Sequence, residues 1–459
     1  MSSLSLSDLH TLVTDPAVAV VSSTSDMVPS SGAGTAVAAP TYMVDDKVGS
    51  PKIALTPVGP QRRVDEDGTA FVVTDPDSGL AVEGPNVNLD TVGSQATRME
   101  NALWGLREEL DLPGVIITAG DDTDQARLRD EFDKKWAAAV KKGPAETTER
   151  LKEIGQETAW EGFVTAMGLK TGEVSSWTLA HRHVDGHIRG ARPADAITET
   201  ETVWDGRSEV YTRLTSAGPG NLLDLLHFSP NSVLFGFWLS SGAPINHKTP
   251  RAITSEITGY GARQVAHGAT KGAPWPATKG MLTDVDGKLL TKMEPSQVGL
   301  GQIPVPVATD TSALVTCTDI IATTTVSLTL LRRHLHRGVP DRKQADAAAT
   351  ALVALSVLGR ALTLEDAWLR SGCELIDTST TWQARGRGDR ANGGLVNLPI
   401  TSNEALTLAQ EALGAARELG ALGTRADSIM LTPSIRLAGT VAGSYLPLLA
   451  AGSKDKDDK

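Results

Sequence analysis

The apolar positions of this chain fall into strand-like and helix-like rhythms that succeed one another along its length. Val233-Leu234-Phe235-Gly236-Phe237-Trp238-Leu239 is an apolar run with the length and residue types of a buried strand. A loop rich in Ser, Gly and Pro follows, carrying His247, Lys248 and Arg251; a β-branched stretch, Ala252 to Ile257, then leads to Gly259-Tyr260-Gly261. Upstream, Met99, Ala102, Leu103 and Leu106 recur at helical spacing behind Ser94, which predicts a capped helix. Val115 to Thr118 reads as a buried strand, and Asn221 to Leu226 as a short apolar helix or turn. Downstream, Val305 to Val326 is Thr-rich and β-type. Ala345 to Leu369 is the strongest helix, Ala-rich and expected to be buried. Glu374 to Gln383 returns to strand character before the basic loop Arg385-Gly386-Arg387-Gly388, and Asn403 to Leu419 is a further helix.

These rhythms predict an α+β protein. Residues 1–45 have little periodicity and read as a flexible N-terminal arm. Residues 46–400 hold the main body. Its first part has short β-type runs, Lys52 to Pro57 and Ala70 to Thr74, and it includes a charged helical insertion over 121–170, with Phe132, Trp136 and Val140 four residues apart. A Gly/Pro/Lys segment over 264–292 interrupts it. Residues 401–452 form a C-terminal helical segment, and 453–459, SKDKDDK, a disordered tail.

Composition narrows the class. A chain of 459 residues can bury a large core. Cys317 and Cys373, the two cysteines, support neither a disulfide framework nor a four-cysteine zinc site, which fits a reducing cytoplasm. The first ten residues lack a basic start and an apolar core, so a signal peptide is not expected, and no transmembrane helix is expected either. The net charge of −12 argues against a simple polyanion binder. The charge is uneven, however: Gly242 to Arg337 carries ten Lys/Arg against six Asp/Glu, whereas Glu100 to Asp133 carries ten Asp/Glu against three Arg. An acidic whole with a basic stripe can hold nucleic acid locally while binding it poorly when loose.

Four segments, in order, carry a resemblance. Ser94-Gln95-Ala96-Thr97-Arg98-Met99-Glu100-Asn101-Ala102-Leu103 comes first. Ala180-His181-Arg182 with Ile188-Arg189 follows. The third combines Leu234-Phe235-Gly236-Phe237-Trp238 with Arg251-Ala252-Ile253-Thr254-Ser255-Glu256-Ile257-Thr258-Gly259-Tyr260. Pro295-Ser296-Gln297-Val298-Gly299-Leu300-Gly301-Gln302-Ile303-Pro304 is the last. Together, over roughly Pro40 to Asp389, the chain resembles the CRISPR-associated Cas-seven group, in the GSU-type Csb-one family of type I-U (I-G) Cascade. It departs from that pattern at Thr97, Ala180, Gly190 and Leu239, where Asn, Pro, an acidic residue and Asp are usual. The resemblance implies a modified RNA-recognition (ferredoxin-like) antiparallel sheet with helical insertions and a thumb-like loop, for which 264–292 is the candidate.

The resemblance and the local chemistry suggest an RNA-binding set. Arg98, one turn into its helix, reads either as a phosphate contact reinforced by the helix N-terminus or as a salt bridge with Glu100 or Asp121. Gln95 lies in the same motif. His181, Arg182 and Arg189 read as RNA contacts or as the polar start of a surface helix. His247, Lys248 and Arg251 read as a cationic grip or a solvated loop, with Glu256 expected to orient Arg251 or Arg263 or to act at a subunit boundary. Lys271, Lys279 and Lys292 stud the candidate thumb, and Ser296 opens a glycine turn whose N–H groups could hold phosphate. Arg332 and Arg333 belong to the densest basic cluster, either an RNA-facing edge or a helix C-terminus with dipole-matched cations.

A rival chemistry lies in His181-Arg182-His183-Val184-Asp185-Gly186-His187, which nearly spells a metallo-hydrolase signature but is off by one residue. It gives the alternative function, a metal-dependent hydrolase using His181, His183, Asp185 and His187. The favoured expectation is a non-enzymatic, cytoplasmic scaffold without cofactor or resident metal. It would bind guide RNA (crRNA), present it to target DNA, and contact further copies of itself head-to-tail. Other Cascade subunits, a large subunit and a Cas-five/Cas-six-type subunit, would complete the assembly, away from any membrane.

Overall fold

Strand alternation builds the body of the molecule. In Ile253–Tyr260, Ile253, Ser255 and Ile257 are buried while Thr254 faces solvent; in Val18–Pro29, Val21, Ser23, Ser25 and Met27 are buried and their neighbours half-buried. The computed structural model describes residues 4–42, 52–166, 174–198, 200–218, 220–239, 247–271, 303–308, 313–386 and 394–451. Its largest element is a curled antiparallel sheet of eight strands. From one edge the order is Trp368–Arg370, Cys373–Gly386, Val18–Pro29, Asp319–Ser327, Ile253–Tyr260, Glu83–Asp90 and Leu55–Pro60, with Gly394–Val396 also paired to Cys373–Gly386. The register sets Ile253 opposite Val326, and Thr324 opposite both Ser255 and Ser23, on the buried face. On the other face Thr254 and Ser22 both lie opposite Thr325. A small hairpin, Arg62–Val64 with Ala70–Val72, reaches part of that hydroxyl-rich face, where Gln383 Nε2 donates to Thr69 Oγ1 at 2.8 Å.

The buried face receives two helices. Val92–Gly105 is capped by Thr91, whose hydroxyl accepts from the Ser94 N–H, and buries Ala96, Met99, Leu103 and Trp104. Arg342–Glu365 is apolar on nearly every side and is buried over most of its length, the signature of a core helix. By length and composition it could cross a bilayer, yet 94% of its most apolar window is covered by the rest of the fold. A satellite core forms where Asp122–Lys142, Ala145–Ile154 and Gln156–Ala166 gather Phe132, Trp136 and Phe163 against Ala438, Ala442 and Leu446 of Ile435–Ala451. The described residues 122–166 are largely helical, and their apolar face is completed by the C-terminal helix.

Several expectations are corrected. The N-terminal residues are no arm: Leu6–Thr14 is a helix with a Ser5–Asp8 capping box, and Val18–Pro29 is an interior strand of the sheet. Arg385 lies within the strand Cys373–Gly386 rather than in a loop, and Arg387 falls outside the described residues. The C-terminal segment includes a strand, Ile429–Pro433, which pairs in parallel with Val115–Ile117. Residues 272–302, most of the candidate thumb, lie outside the described residues. The apolar run at 233–239 is not one strand. Pro230–Phe235 is a helix with proline in its first turn, and only Phe237–Leu239 is extended. Gly236 makes the switch at φ +78°, a left-handed conformation that glycine adopts without strain.

A side chain at Gly236 would also meet backbone: a Cβ there would sit 2.6 Å from the Thr249 carbonyl oxygen and 2.9 Å from the Arg251 nitrogen. Gly236→Ala is expected to destabilise the protein by about 2–4 kcal/mol, strain and overlap combined. Urea unfolding of the purified protein measures it, and a loss under about 0.5 kcal/mol, the usual scatter of a neutral site, would contradict the backbone geometry.

Candidate nucleic-acid interface

Three of the four resemblance motifs converge, but on the interior; the fourth, Pro295 to Pro304, lies almost wholly outside the described residues. Glu100 projects from Val92–Gly105 into a junction made with the short 3-10 turn Arg182–Val184 and the helix Pro230–Phe235. Arg182 donates from Nε and Nη2 to the two Glu100 carboxylate oxygens, each at 2.7 Å, and from Nη1 to the Gly236 carbonyl at 2.8 Å. Asn231 Nδ2 donates to Glu100 Oε1 and to the Ser176 carbonyl, both at 2.8 Å. Ser229 donates to Asn231 Oδ1, and Ser232 lies 2.7 Å from His183 Nδ1. Arg182 sits in the left-handed region at φ +57°, and its guanidinium lies 5.6 Å from the Phe235 ring centroid. Burial pushes the Glu100 carboxyl up, while Arg182 and Asn231 oppose that shift.

A second polar seam continues along the same helix. Asp90, buried in its strand, accepts from Gln95 Nε2 at 2.6 Å and Arg98 Nε at 3.1 Å, and Arg370 lies 3.6 Å away. Gln95 accepts from Ser255, which in turn meets Thr324 at 2.9 Å. Arg98 also donates to the Leu369 carbonyl. The SQATRME motif therefore locks helix to sheet. Gln95 and Arg182 have almost no exposed surface, so both belong to the interior rather than to an RNA-facing set. Arg98 takes Asp90 as its partner, neither Glu100 nor Asp121.

What the junction supports is a projecting hairpin. Phe237–Leu239 pairs with His247–Thr249, so that Phe237, Leu239 and Thr249 turn inward while Trp238 and Lys248, directly opposite one another, turn out. Trp238 is 64% exposed, and Lys248 Nζ lies 5.1 Å from its ring centroid. Arg251 follows at the hairpin base. The residue is exposed, but its guanidinium is partly desolvated; burial and then Arg182 lower its pKa, with Glu100 opposing. His247 packs against Gly218. Trp238 is the member missed by residue type alone; its outward parity beside a buried Phe237 was the available signal.

The remaining expected contacts are dispersed. His181 is exposed, and Arg189 lies over Trp204 at 4.7 Å. Arg332 donates to the carbonyls of Val13, Asp15 and Val18, bracing the N-terminal helix-to-strand link, whereas Arg333 is exposed. Lys271 ends His267–Lys271, a strand paired with Ile303–Ala308. Lys279, Lys292 and Ser296 fall outside the described residues. Glu256 accepts from Asn88 Nδ2 at 3.4 Å, in place of the expected Arg251 or Arg263.

The histidine cluster does not converge. His183 is fully buried, with edge contacts to Phe237 and Phe228. At Asp185 burial works against ionisation, but hydrogen bonds from His187 and from the His181 N–H outweigh it and leave the carboxyl below its ordinary value. His187 is raised by that same hydrogen bond. Among the described residues no group of three or more His, Cys, Asp or Glu side chains is placed to hold a metal ion.

Two outcomes follow from this geometry. Arg182→Ala leaves Glu100 buried without its cation and is expected to cost about 3–5 kcal/mol, whereas the pair Arg182→Met with Glu100→Leu costs distinctly less; denaturant unfolding of both variants decides it. Burial, with Arg182 and His247 contributing, pushes the His183 pKa down to about 3 from 6.5. The unfolded chain therefore binds a proton that the folded one refuses, and stability present above pH 6.5 is lost as pH falls toward 3. Between pH 7 and pH 5 the native protein should lose about 2 kcal/mol more than a His183→Gln variant. Equal losses in the two proteins would refute the burial of a neutral imidazole.

The model of the family described as CRISPR-associated protein GSU0053 matches residues 21–264. Curated proteins gave no match. The matched span begins in the interior strand Val18–Pro29 and takes in the Glu100–Arg182 junction, Asp90, Gln95 and Arg98 of the second seam, and the Trp238–Lys248 hairpin. The chain belongs to the CRISPR-associated protein GSU0053 family, a Cas-seven-type family.

Proposed function

We propose that this chain is the guide-RNA-binding backbone subunit of a type I-U (I-G) CRISPR surveillance complex, Cascade. Several copies line up head-to-tail along one crRNA and hold it for pairing with target DNA. The carrying observation is the outward Trp238–Lys248 pair beside Arg251, on a hairpin anchored by the buried Glu100–Arg182 junction. An exposed ring supplies stacking and the neighbouring cations supply phosphate attraction, neither of which depends on base identity. A subunit that must accept any spacer sequence needs that indifference.

The strand order supports a modified RNA-recognition (ferredoxin-like) fold. In chain order Val18–Pro29, Ile253–Tyr260, Asp319–Ser327 and Cys373–Gly386 are first to fourth, and in space they run fourth, first, third, second. One helix, Val92–Gly105, precedes the second, and another, Arg342–Glu365, precedes the fourth, the βαββαβ pattern with insertions. In this reading the subunit performs no chemical step, needs no cofactor and works in the cytoplasm beside a large subunit and a Cas-five/Cas-six-type subunit.

Trp238→Ala should weaken binding to a repeat–spacer transcript by about 1–3 kcal/mol, and Lys248→Glu and Arg251→Glu should each lower the salt dependence by about one charge. Trp238→Ala should leave unfolding within about 0.5 kcal/mol of the parent, because the side chain is exposed. Fluorescence anisotropy against salt measures all three. Unchanged affinity in every variant would remove this hairpin from the RNA path.

A further inference from the structure

A cleft of about 440 Å³ opens at the C-terminal end of the Arg342–Glu365 helix, between that helix and the strand Cys373–Gly386. Its charged lining is Glu365, Asp366, Glu374 and Asp377 against Arg360 alone. Arg360 is 1% exposed and reaches Ser25, Thr380 and Asp377, yet its Nε has no partner, and neither does the buried Oδ1 of Asp377. The Asp377 oxygen is a buried acceptor left unmet, costly unless a donor enters the cleft to meet it. Trp368, Ile376 and Ile400 stand around the cleft, each at least 44% exposed. An acidic cleft with an exposed indole and aliphatic side chains fits the apolar stem and cationic head of a basic side chain, and repels phosphate.

A complementary surface lies around the start of that helix, mostly on the helix that precedes it. Leu328–Gly338 runs directly into it and exposes Arg333 and Arg337, with Arg342 and Lys343 exposed one turn away. Asp341 and Asp346 are the acidic residues among them, so this end is net cationic. The helix of 24 residues is about 36 Å long, so Arg342 and Lys343 at its start stand far from the cleft at its end. Two different patches of opposite charge on one subunit can join in a heterologous, repeating contact.

We propose that the acidic cleft of one subunit receives the Arg333/Arg337 end of a second copy, and that this contact propagates the head-to-tail array. The inference rests on the backbone-subunit reading above and names the two surfaces that would join in it.

The test is a charge swap. Arg333→Glu with Arg337→Glu reverses one end, Asp366→Lys with Glu374→Lys the other, and a fourth protein carries all four changes. Assembly is read by sedimentation, with a repeat–spacer transcript and separately without RNA at high protein concentration; affinity is read on an RNA short enough for one subunit. Each one-sided reversal should weaken self-association roughly tenfold or more while leaving short-RNA affinity intact, and the four-fold variant should recover assembly. Assembly unaffected by either one-sided reversal, or not recovered in the four-fold variant, overturns the proposal. Loss of short-RNA affinity in the Arg333/Arg337 variant also overturns it and returns those cations to an RNA surface. Absence of RNA binding by the parent protein would fell the backbone-subunit reading instead, and the RNA-free arm would still decide whether the two surfaces join.

Discussion

The ion pair between Glu100 and Arg182 is the constraint from which the surface around it follows. A carboxylate and a guanidinium withdrawn from water are expensive, and their attraction offsets the cost only when the geometry is right and the remaining hydrogen-bonding positions are filled. Here they are filled by Asn231 on one side and the Gly236 carbonyl on the other. Three segments far apart in sequence are thereby held at fixed distances. Gly236 is the point where the helix Pro230–Phe235 hands over to the outward hairpin, so the position of Trp238 is set by hydrogen bonds made beneath it. Such a pair adds little stability over a well-packed apolar substitute; what it supplies is one geometry in preference to others.

The second seam, Asp90 with Gln95, Arg98 and Arg370, works the same way between helix and sheet. Together the seams divide labour in the motif blocks. The residues with the most distinctive spacing hold the scaffold, and the exposed residues are the plainer ones beside them, Trp238, Lys248 and Arg251. Arg98, Arg182 and Arg370 are thereby committed to internal carboxylates.

The elements were legible where one periodicity ran unbroken. The Ala-rich helix, the helix behind Thr91 and the Thr-rich strands follow from their apolar spacing, since burial on one face or all round leaves a direct record in the residues. The run at 233–239 misled because continuous apolarity does not distinguish a buried helix turn from a strand; the proline at its start and the glycine inside it held the answer. The N-terminal strand was missed because its buried positions include Ser23 and Ser25, small polar residues that do not advertise a core; Ser25 is met by Thr380 and Arg360, while the Ser23 hydroxyl lies buried with no hydrogen-bond partner among the described residues. Charge in the sequence likewise does not say whether an arginine faces water. Arg182 and Arg332 spend their donors on the protein's own oxygens, a pairing visible only once Glu100 and the Val13–Val18 carbonyls are brought alongside.

The place of Val18–Pro29 in the sheet has a consequence for how the chain is made. Its neighbours on either side are Asp319–Ser327 and Cys373–Gly386, so the segment is made long before either of the strands that flank it. Until then it is an unpaired strand with both edges open, in a fold of high contact order. Synthesis at about 5–20 residues per second leaves it in that state for tens of seconds. Its buried face sets Ser23 and Ser25 between Val21 and Met27, which lowers its appetite for other exposed strands during that wait. The hydroxyls that made the strand hard to read also make it a safer segment to leave waiting.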